Sequence, residues 1–511
     1  MWLQILLTLL VVLFVIHYYI RGGRIGHYVN KMPGPPAYPL VGNLLSFMVP
    51  FDQLWQVVRK MNDDYYPLYR IWSTNVAVIN LYHPDDAEVL LSSTNHIEKS
   101  FIYELLHPWF GTGLLTSTGT KWQHRRKILT PAFHFNVLQK YMDIIIENDE
   151  RFIDTLKAKG ESVQNLLPLI TNYTLNVICE AAMGTSLQGK EELQARYRRA
   201  IHDMGNILVY RLVRPWLRWD RLFNLTPKGH EQKKALQVLH GFSTDIINER
   251  KEYHEKTESK FLNNTLASDE SSKDNADTEV FGVRKRRLAM LDLLIAAYRE
   301  KQIDDLGIRE EVDTFMFEGH DTSAMGVCFV LLLLAEHKDI QARAREEVEE
   351  VLGKTGGRID LSAINQMSHL ERCIKEALRL YPSVPFISRN INEDLHLKDY
   401  TVPRGTIAHI HVYDLHRDAN FWPEPLKYDP DRFLPERTRN RHPFSYIPFS
   451  AGSRNCIGQK FAMMELKSIT AHLLHDFHLE PIDLAHEVPI VCDLVLRPAR
   501  PIYMKFVPIE K

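Results

Sequence analysis

The stretch FSAGSRNCIG, from Phe449 to Gly458, sets one of the chain's five cysteines among two glycines and an arginine. The residues that follow, QKFAMMELKSITAHLL, carry Phe461, Met464, Leu466 and Ile469 at helical spacing. Cys456 therefore stands just ahead of a helix N-terminus, where the positive end of the helix dipole favours a thiolate. Gly452 admits a turn that other residues resist. Gly458 removes a side chain where a flat group could lie. A lone cysteine cannot build a tetrahedral zinc site, but it can be the single axial thiolate of a haem iron. A buried thiol after a turn is the plain alternative for any one cysteine. The whole spacing F-x-x-G-x-R-x-C-x-G stands against it.

Three further stretches could do chemistry. REEVDTFMFEGHDTSAMGVCFVLLLL is a long apolar helix with polar residues in its middle. Glu318, Asp321 and Thr322 stand at i, i+3 and i+4, a spacing that predicts one shared face. An acid and a hydroxyl in an apolar helix cost free energy unless partnered, and Gly319 opens room beside them. A solvated stripe is the alternative, and the apolar run through Leu334 argues against it. KEALRLYPSVP holds Glu376 and Arg379 at i, i+3, by itself a common surface pair. TKWQHRRKILTPAF places Trp122 and Arg126 at i, i+4. Its Lys121, Arg125 and Lys127 read as solvent-facing, a basic patch suited to steering an acidic partner.

These residues need a large scaffold, and 511 residues supply one. A formal charge of -2 and 25% charged residues argue against non-specific nucleic-acid binding. The remaining cysteines, Cys179, Cys328, Cys373 and Cys492, read as reduced thiols without a C-x-x-C spacing. WLQILLTLLVVLFVIHYYI carries no charge before Arg21, long enough for a retained membrane anchor over residues 1–20. Arg21, Arg24 and Lys31 follow it and place the rest of the chain on the cytosolic side. Residues 21–44 read as a basic and proline-rich hinge in which Pro33, Pro35 and Pro36 exclude helix. The catalytic domain is then 45–511. Within it RIWSTNVAVINLY predicts a β-hairpin. The polar run over 255–285 predicts a disordered surface loop, and residues 309–381 predict long helices. The chain shows no G-x-G-x-x-G unit or flavin site of its own.

Phe449, Gly452, Arg454, Cys456 and Gly458 together resemble the haem-binding signature of the cytochrome P450 monooxygenases. The resemblance extends over nearly the whole chain. It implies a mainly α fold with small β-sheets (α+β), one N-terminal transmembrane helix, and haem b held through Cys456. It makes Arg454, Trp122 and Arg126 contacts of the haem propionates, met from the other side by Arg389. It gives Asp321 and Thr322 the catalytic roles, Thr322 hydrogen-bonding dioxygen and water while Asp321 relays protons. Glu376, Arg379 and Arg432 become a structural lock, with Asp431 where the family more often has Glu. Glu318 departs from the Ala or Gly usual there. In the family-four branch, which this chain is most similar to and whose insect members it resembles, a glutamate at this position can be esterified to a haem methyl. That branch implies NADPH-dependent ω-hydroxylation of fatty acids. The partners implied are NADPH–cytochrome P450 reductase and cytochrome b5, and the location is the endoplasmic reticulum membrane. The same chemistry on sesquiterpenoid hormones, hydrocarbons or xenobiotics is the alternative, followed by a reductase-independent enzyme that rearranges lipids. The apolar stretch from Phe101 to Leu115 is expected to contact substrate.

Overall fold

Asp304 opens the helix that positions everything else. Its carboxylate accepts a hydrogen bond from Gly307 N at 2.7 Å, satisfying one of the first-turn N–H groups. The 32-residue helix Asp305–Glu336 then runs about 48 Å, at ~1.5 Å per residue. It is apolar on nearly every side and therefore buried on nearly every side. A Cβ on Gly319 would lie 2.5 Å from Ile178 Cδ1, so glycine is what lets the Leu166–Ile178 helix pack this closely.

This computed structural model describes residues 1–257 and 289–510. The loop expected over 255–285 lies, from 258 onward, outside the described residues; 255–257 complete the Pro227–Lys256 helix and its cap. The expected helices over 309–381 are present, closing with Lys338–Thr355, Leu361–Gln366 and Ser368–Leu380. Among the described residues, three helices have the length and hydropathy to cross a membrane. Burial separates them: of the most apolar 18-residue window, 61% in Leu166–Met183 and 83% in Asp305–Glu336 is inside the protein, against none in Trp2–Gly22. Of these three, the N-terminal helix is the one left to meet lipid.

The segment after it is more ordered than a hinge. Arg24–Val29 form a short helix, and Arg21 lies over the Trp72 ring at 4.1 Å. The prolines then lean on the hairpin formed by Leu68–Ser73 and Val76–Leu81, which pair antiparallel with Leu68 opposite Leu81. Arg70 N donates to Pro33 O at 2.9 Å, and Asn43 Nδ2 donates to Pro35 O and Pro36 O at 3.3 and 2.8 Å. Proline lacks an N–H but keeps its carbonyl, so a proline run can still accept from a neighbouring edge.

Val76–Leu81 pairs parallel with Ile407–Ile410, which pairs antiparallel with Ile387–Asn390. This four-stranded sheet carries Arg389. A three-stranded sheet of Ser162–Asn165, Tyr503–Pro508 and Phe477–Pro481 and two short ribbons complete the β structure of the described residues.

Gln459–Asp476 packs against the central helix and buries Glu465 completely. Burial pushes the Glu465 carboxyl up to about 8, with Ser323 pulling it down and Asp149 adding to the rise. The folded chain thus keeps a proton that the unfolded chain loses above about 4.5. The unfolded state binds fewer protons across that window, so stability falls as pH rises from about 4.5 to about 8. Glu465→Gln should remove this slope. Urea midpoints taken at both ends of the window would show the variant gaining on the parent as pH rises; parallel curves would refute the assignment.

Candidate active site

The Phe449–Gly458 loop is held by its own backbone. Cys456 N donates to Phe449 O at 2.9 Å, and Asn455 N donates to Gly452 O at 3.1 Å. Gly452 has φ 72°, and a Cβ there would sit 2.0 Å from Leu91 O. No other residue fits that turn. At Gly458 a Cβ would meet Cys456 Sγ at 3.9 Å and the Phe133 ring at 3.8 Å. That contact is not strained, but it would fill the space flanking the sulfur.

A cavity of ≈ 270 Å³ opens above Cys456, and the central helix crosses it with Glu318, Gly319 and Thr322. Burial pushes the Cys456 thiol up to about 12, and the Glu318 charge adds to the rise. Gly458 N–H and Arg126 act the other way. The helix N-terminus favours the thiolate, and desolvation works against it. A bound metal ion, which deprotonates a coordinating thiol outright, is what would ionise this one.

Cations converge on the same cavity. Arg454 lies 4.7 Å over the buried Trp122 ring. It donates through Nη2 to Ser117 O at 2.8 Å, while its buried Nε has no partner. Arg126 is held by Asn455, with Nη1 on the backbone O and Nη2 on Oδ1, both at 2.9 Å. Arg389 is buried on its strand, donating to Ser388 O at 3.1 Å. It does not line the cavity, but its charge acts on Lys99, Tyr103 and Arg454, which do. Burial, then Arg389 and Arg454, hold the Lys99 ammonium well below its usual range.

On the opposite wall, Thr322 Oγ1 donates to Glu318 O at 2.6 Å, and Ser383 Oγ donates to Thr322 O at 2.8 Å. Burial pushes the Glu318 carboxyl up to about 7, against the pull of Lys99, Arg454 and Arg126. Asp321 does not share the face of these two. It is buried outside the cavity lining, and Arg497 Nη1 donates to its Oδ1 at 3.0 Å. One helical step of about 100° between Asp321 and Thr322 is enough to part them.

The Glu376–Arg379 pair is far from a surface pair: both side chains are 0% exposed. Arg379 donates to both Glu376 oxygens at 2.7 and 2.8 Å and to the carbonyls of His416 and Pro425. Arg432 Nε reaches Glu376 Oε1 at 3.1 Å. Asp431 instead faces Arg343 on the surface at 3.3 Å. The basic patch expected near Trp122 is also corrected. Arg125 is buried 3.6 Å from Glu310 and 3.8 Å from Glu311, and Lys121 pairs with Glu310 at 2.8 Å. Lys127 alone of the three is exposed. From the Phe101–Leu115 stretch, Ile102, Tyr103, Leu106, Leu114 and Leu115 do line the cavity. Sequence reasoning missed Lys99, Asn455 and Arg497. Asn455 lies inside the motif and was open to notice, whereas Lys99 and Arg497 carry no local signal.

The site offers one soft sulfur donor, a glycine-cleared flank, an apolar cleft and an excess of cations with an unpartnered Arg454 Nε. These fit a flat, dianionic macrocycle whose metal takes a single thiolate, which is the haem-thiolate class. The chain belongs to the cytochrome P450 family, whose model, "Cytochrome P450", matches residues 32–506. It is similar to cytochrome P450 4c3 of Drosophila melanogaster, at 38% identity over 504 residues, 98% of this chain and 93% of that protein. Cytochrome P450 4V2 of Homo sapiens is also 38% identical, covering 92% of this chain and 88% of that protein. Cytochrome P450 4c21 of Blattella germanica is 37% identical, covering 98% and 97%. The resemblance to the family-four branch, insect members among it, is borne out, as is the mainly α fold with small sheets. The protein is a haem-dependent monooxygenase with a cysteine thiolate ligand and an N-terminal helix suited to membrane association.

Proposed function

We propose that Cys456 is the proximal iron ligand, and that the protein hydroxylates the terminal carbon of fatty acids. Electrons come from NADPH through a separate reductase, with cytochrome b5 as a second donor. The haem, when bound, supplies dioxygen activation and inserts one oxygen atom into a C–H bond while the other leaves as water. Arg454, Arg126 and Trp122 would hold the propionates, and the charge of Arg389 would add to theirs. Phe449 and Gly458 shape the loop around the sulfur. Thr322 turns a hydroxyl into the cavity whose proton now rests on Glu318 O. Its lone pairs are open to accept from water, and rotation about χ1 lets it donate. Asp321 moves a proton only when Arg497 releases it. The membrane is that of the endoplasmic reticulum, with the catalytic domain in the cytosol, in keeping with Arg21, Arg24 and Lys31 beyond the anchor.

The observation that carries this reading is Glu318, placed in the cavity lining one helical turn from Thr322. Terminal hydroxylation attacks a strong primary C–H bond beside weaker secondary ones, so the site must restrict the chain end. A Glu318 carboxyl esterified to a haem methyl would stiffen that constriction. Forming the ester removes two protons and two electrons, which the enzyme's own oxidative turnover accepts.

The test is turnover. The purified enzyme with reductase and NADPH would meet fatty acids and sesquiterpenoids, with products read by mass spectrometry. Terminal alcohols on the fatty acids support the proposal; hydroxylated terpenoids with fatty acids untouched reject it. Glu318→Ala should raise the in-chain share of products and release haem into organic solvent after acid denaturation. An unchanged product ratio counts against the constriction.

A further inference from the structure

His240, on the Pro227–Lys256 helix, has an acceptor against each of its ring nitrogens. Nδ1 lies 2.9 Å from Asp313 Oδ2 on the central helix, and Nε2 lies 3.0 Å from Pro108 O. A neutral imidazole carries one N–H and can serve only one of the two. Its other nitrogen would then set a lone pair against an oxygen. Both contacts hold only while the His240–Asp313 pair carries an extra proton, on the ring or on the carboxyl.

Neither acceptor is easily served by another group. Asp313 is buried, and Ser243 Oγ donates to its other oxygen, Oδ1. Pro108 O belongs to the one-turn helix His107–Phe110. In a longer helix Thr112 N would donate to this carbonyl. It donates instead to Glu310 Oε1 at 2.8 Å.

When the extra proton leaves, the surroundings choose which contact fails. Burial raises the Asp313 carboxyl, and His240, Ser243 and Arg309 pull it down. Arg309 Nε lies 4.0 Å from Asp313 Oδ2, so the carboxylate keeps a counter-charge. The remaining N–H goes to the carboxylate, and Nε2 is left with a lone pair facing Pro108 O. The other titratable neighbours do not compete. Burial, then Asp313, hold the Tyr197 phenol on the Glu191–Leu212 helix well above its usual range. Against burial, Lys121 and Thr112 hold Glu310 below its ordinary value. His107, next to Pro108, makes no ion pair with Asp313 among the described residues.

Pro108 is part of the active cavity's wall. Ile102, Tyr103 and Leu106 from the same stretch line that cavity. The Trp109 and Phe110 rings stack at 4.3 Å and meet Phe317, another lining residue, at 5.1 and 5.5 Å. We propose that His240 is a positioning residue: while its pair with Asp313 holds the extra proton it clips the Phe101–Phe110 stretch to two helices, and on losing that proton it frees this wall of the cavity. The far end of the wall is held separately, with Thr112 N on Glu310 and Leu114 N on Glu311 Oε2 at 3.0 Å. Burial pushes the Glu311 carboxyl up to about 7. Ionising it strengthens its bond from Leu114 N, the opposite sign to the loosening at Pro108.

The experiment is amide hydrogen exchange on full-length holoenzyme in vesicles, from pH about 5 to about 9, with rates corrected for their intrinsic pH dependence. Protection of the Phe101–Phe110 amides should fall by roughly tenfold as pH rises, the size of one hydrogen bond to a charged group. The Thr112 and Leu114 amides should keep theirs. His240→Gln, which cannot titrate, should flatten the profile of the first stretch. His240→Leu should hold it near the parent's high-pH level throughout. Haem content equal to the parent's would show that both variants are folded. A flat parent profile, or a slope that survives in either variant, would overturn the proposal. Exchange is read without substrate, so its outcome is separate from that of the turnover test.

Discussion

Cys456→Ser should leave a folded protein with almost no activity. Serine is close in volume, and the loop's hydrogen bonds run through backbone atoms: Cys456 N to Phe449 O and Asn455 N to Gly452 O. The cationic cradle of Arg454 and Arg126 does not depend on the sulfur. What disappears is a soft donor able to push electron density to the metal. Loss of groups that merely orient a ligand costs 10–100-fold, so loss of the ligand should lower turnover by more than about 100-fold. The absorption spectrum should lose its thiolate signature while the melting curve stays close to the parent's. Turnover kept within tenfold would assign the metal to another residue.

Glu376→Ala should unfold much of the protein. Arg379 and Arg432 both rest on this carboxylate, and Arg379 is 0% exposed. Removing one partner of a buried ion pair leaves an uncompensated charge and costs about 3–5 kcal/mol. That is a large fraction of the ~5–15 kcal/mol by which domains are stable. Arg343→Ala supplies the control, since the Arg343–Asp431 pair is exposed and worth about 0–1 kcal/mol. Urea titrations of both variants would show a large fall in midpoint for the first and almost none for the second. Equal shifts would mean that burial is not what sets the strength of this lock. Arg379 also ties the carbonyls of His416, Pro425 and Lys427. The Glu376 variant should therefore lose order in the stretch leading to Cys456 and retain haem poorly.

Much of this site could be read before folding, because its grammar is local. Phe449 to Gly458 declares itself within ten residues, and the hairpin around Thr74 and the charge-free anchor are equally short-range. Pairing between distant residues was out of reach. Helical spacing puts Asp321 on the face of Glu318 and Thr322. Its neutralising partner, Arg497, is 176 residues away and in no motif. Three basic neighbours make Arg125 look like part of a surface patch. Glu310 and Glu311, on the central helix, draw it inside. The strength of the Glu376 lock was underrated for the same reason: sequence gives spacing, while burial sets the energy. The apolar chamber beside the active cavity, lined by Leu54, Val58 and Ile71, is assembled from strands and helices that nothing in the sequence connects.

The docked proline segment changes what the anchor does. A slack tether would let the domain swivel and show any side to the bilayer. Hydrogen bonds from Arg70 and Asn43 to the Pro33, Pro35 and Pro36 carbonyls, with Arg21 stacked on Trp72, make the segment a splint instead. The same hairpin lines an apolar chamber beside the active cavity with Tyr69 and Ile71. One set of strands thus holds the segment that follows the anchor and walls part of the space beside the site. An oily substrate is scarce in water and abundant in lipid, so the concentration this enzyme works against is set by partitioning. A splinted anchor narrows the attitudes the domain can take beside that reservoir.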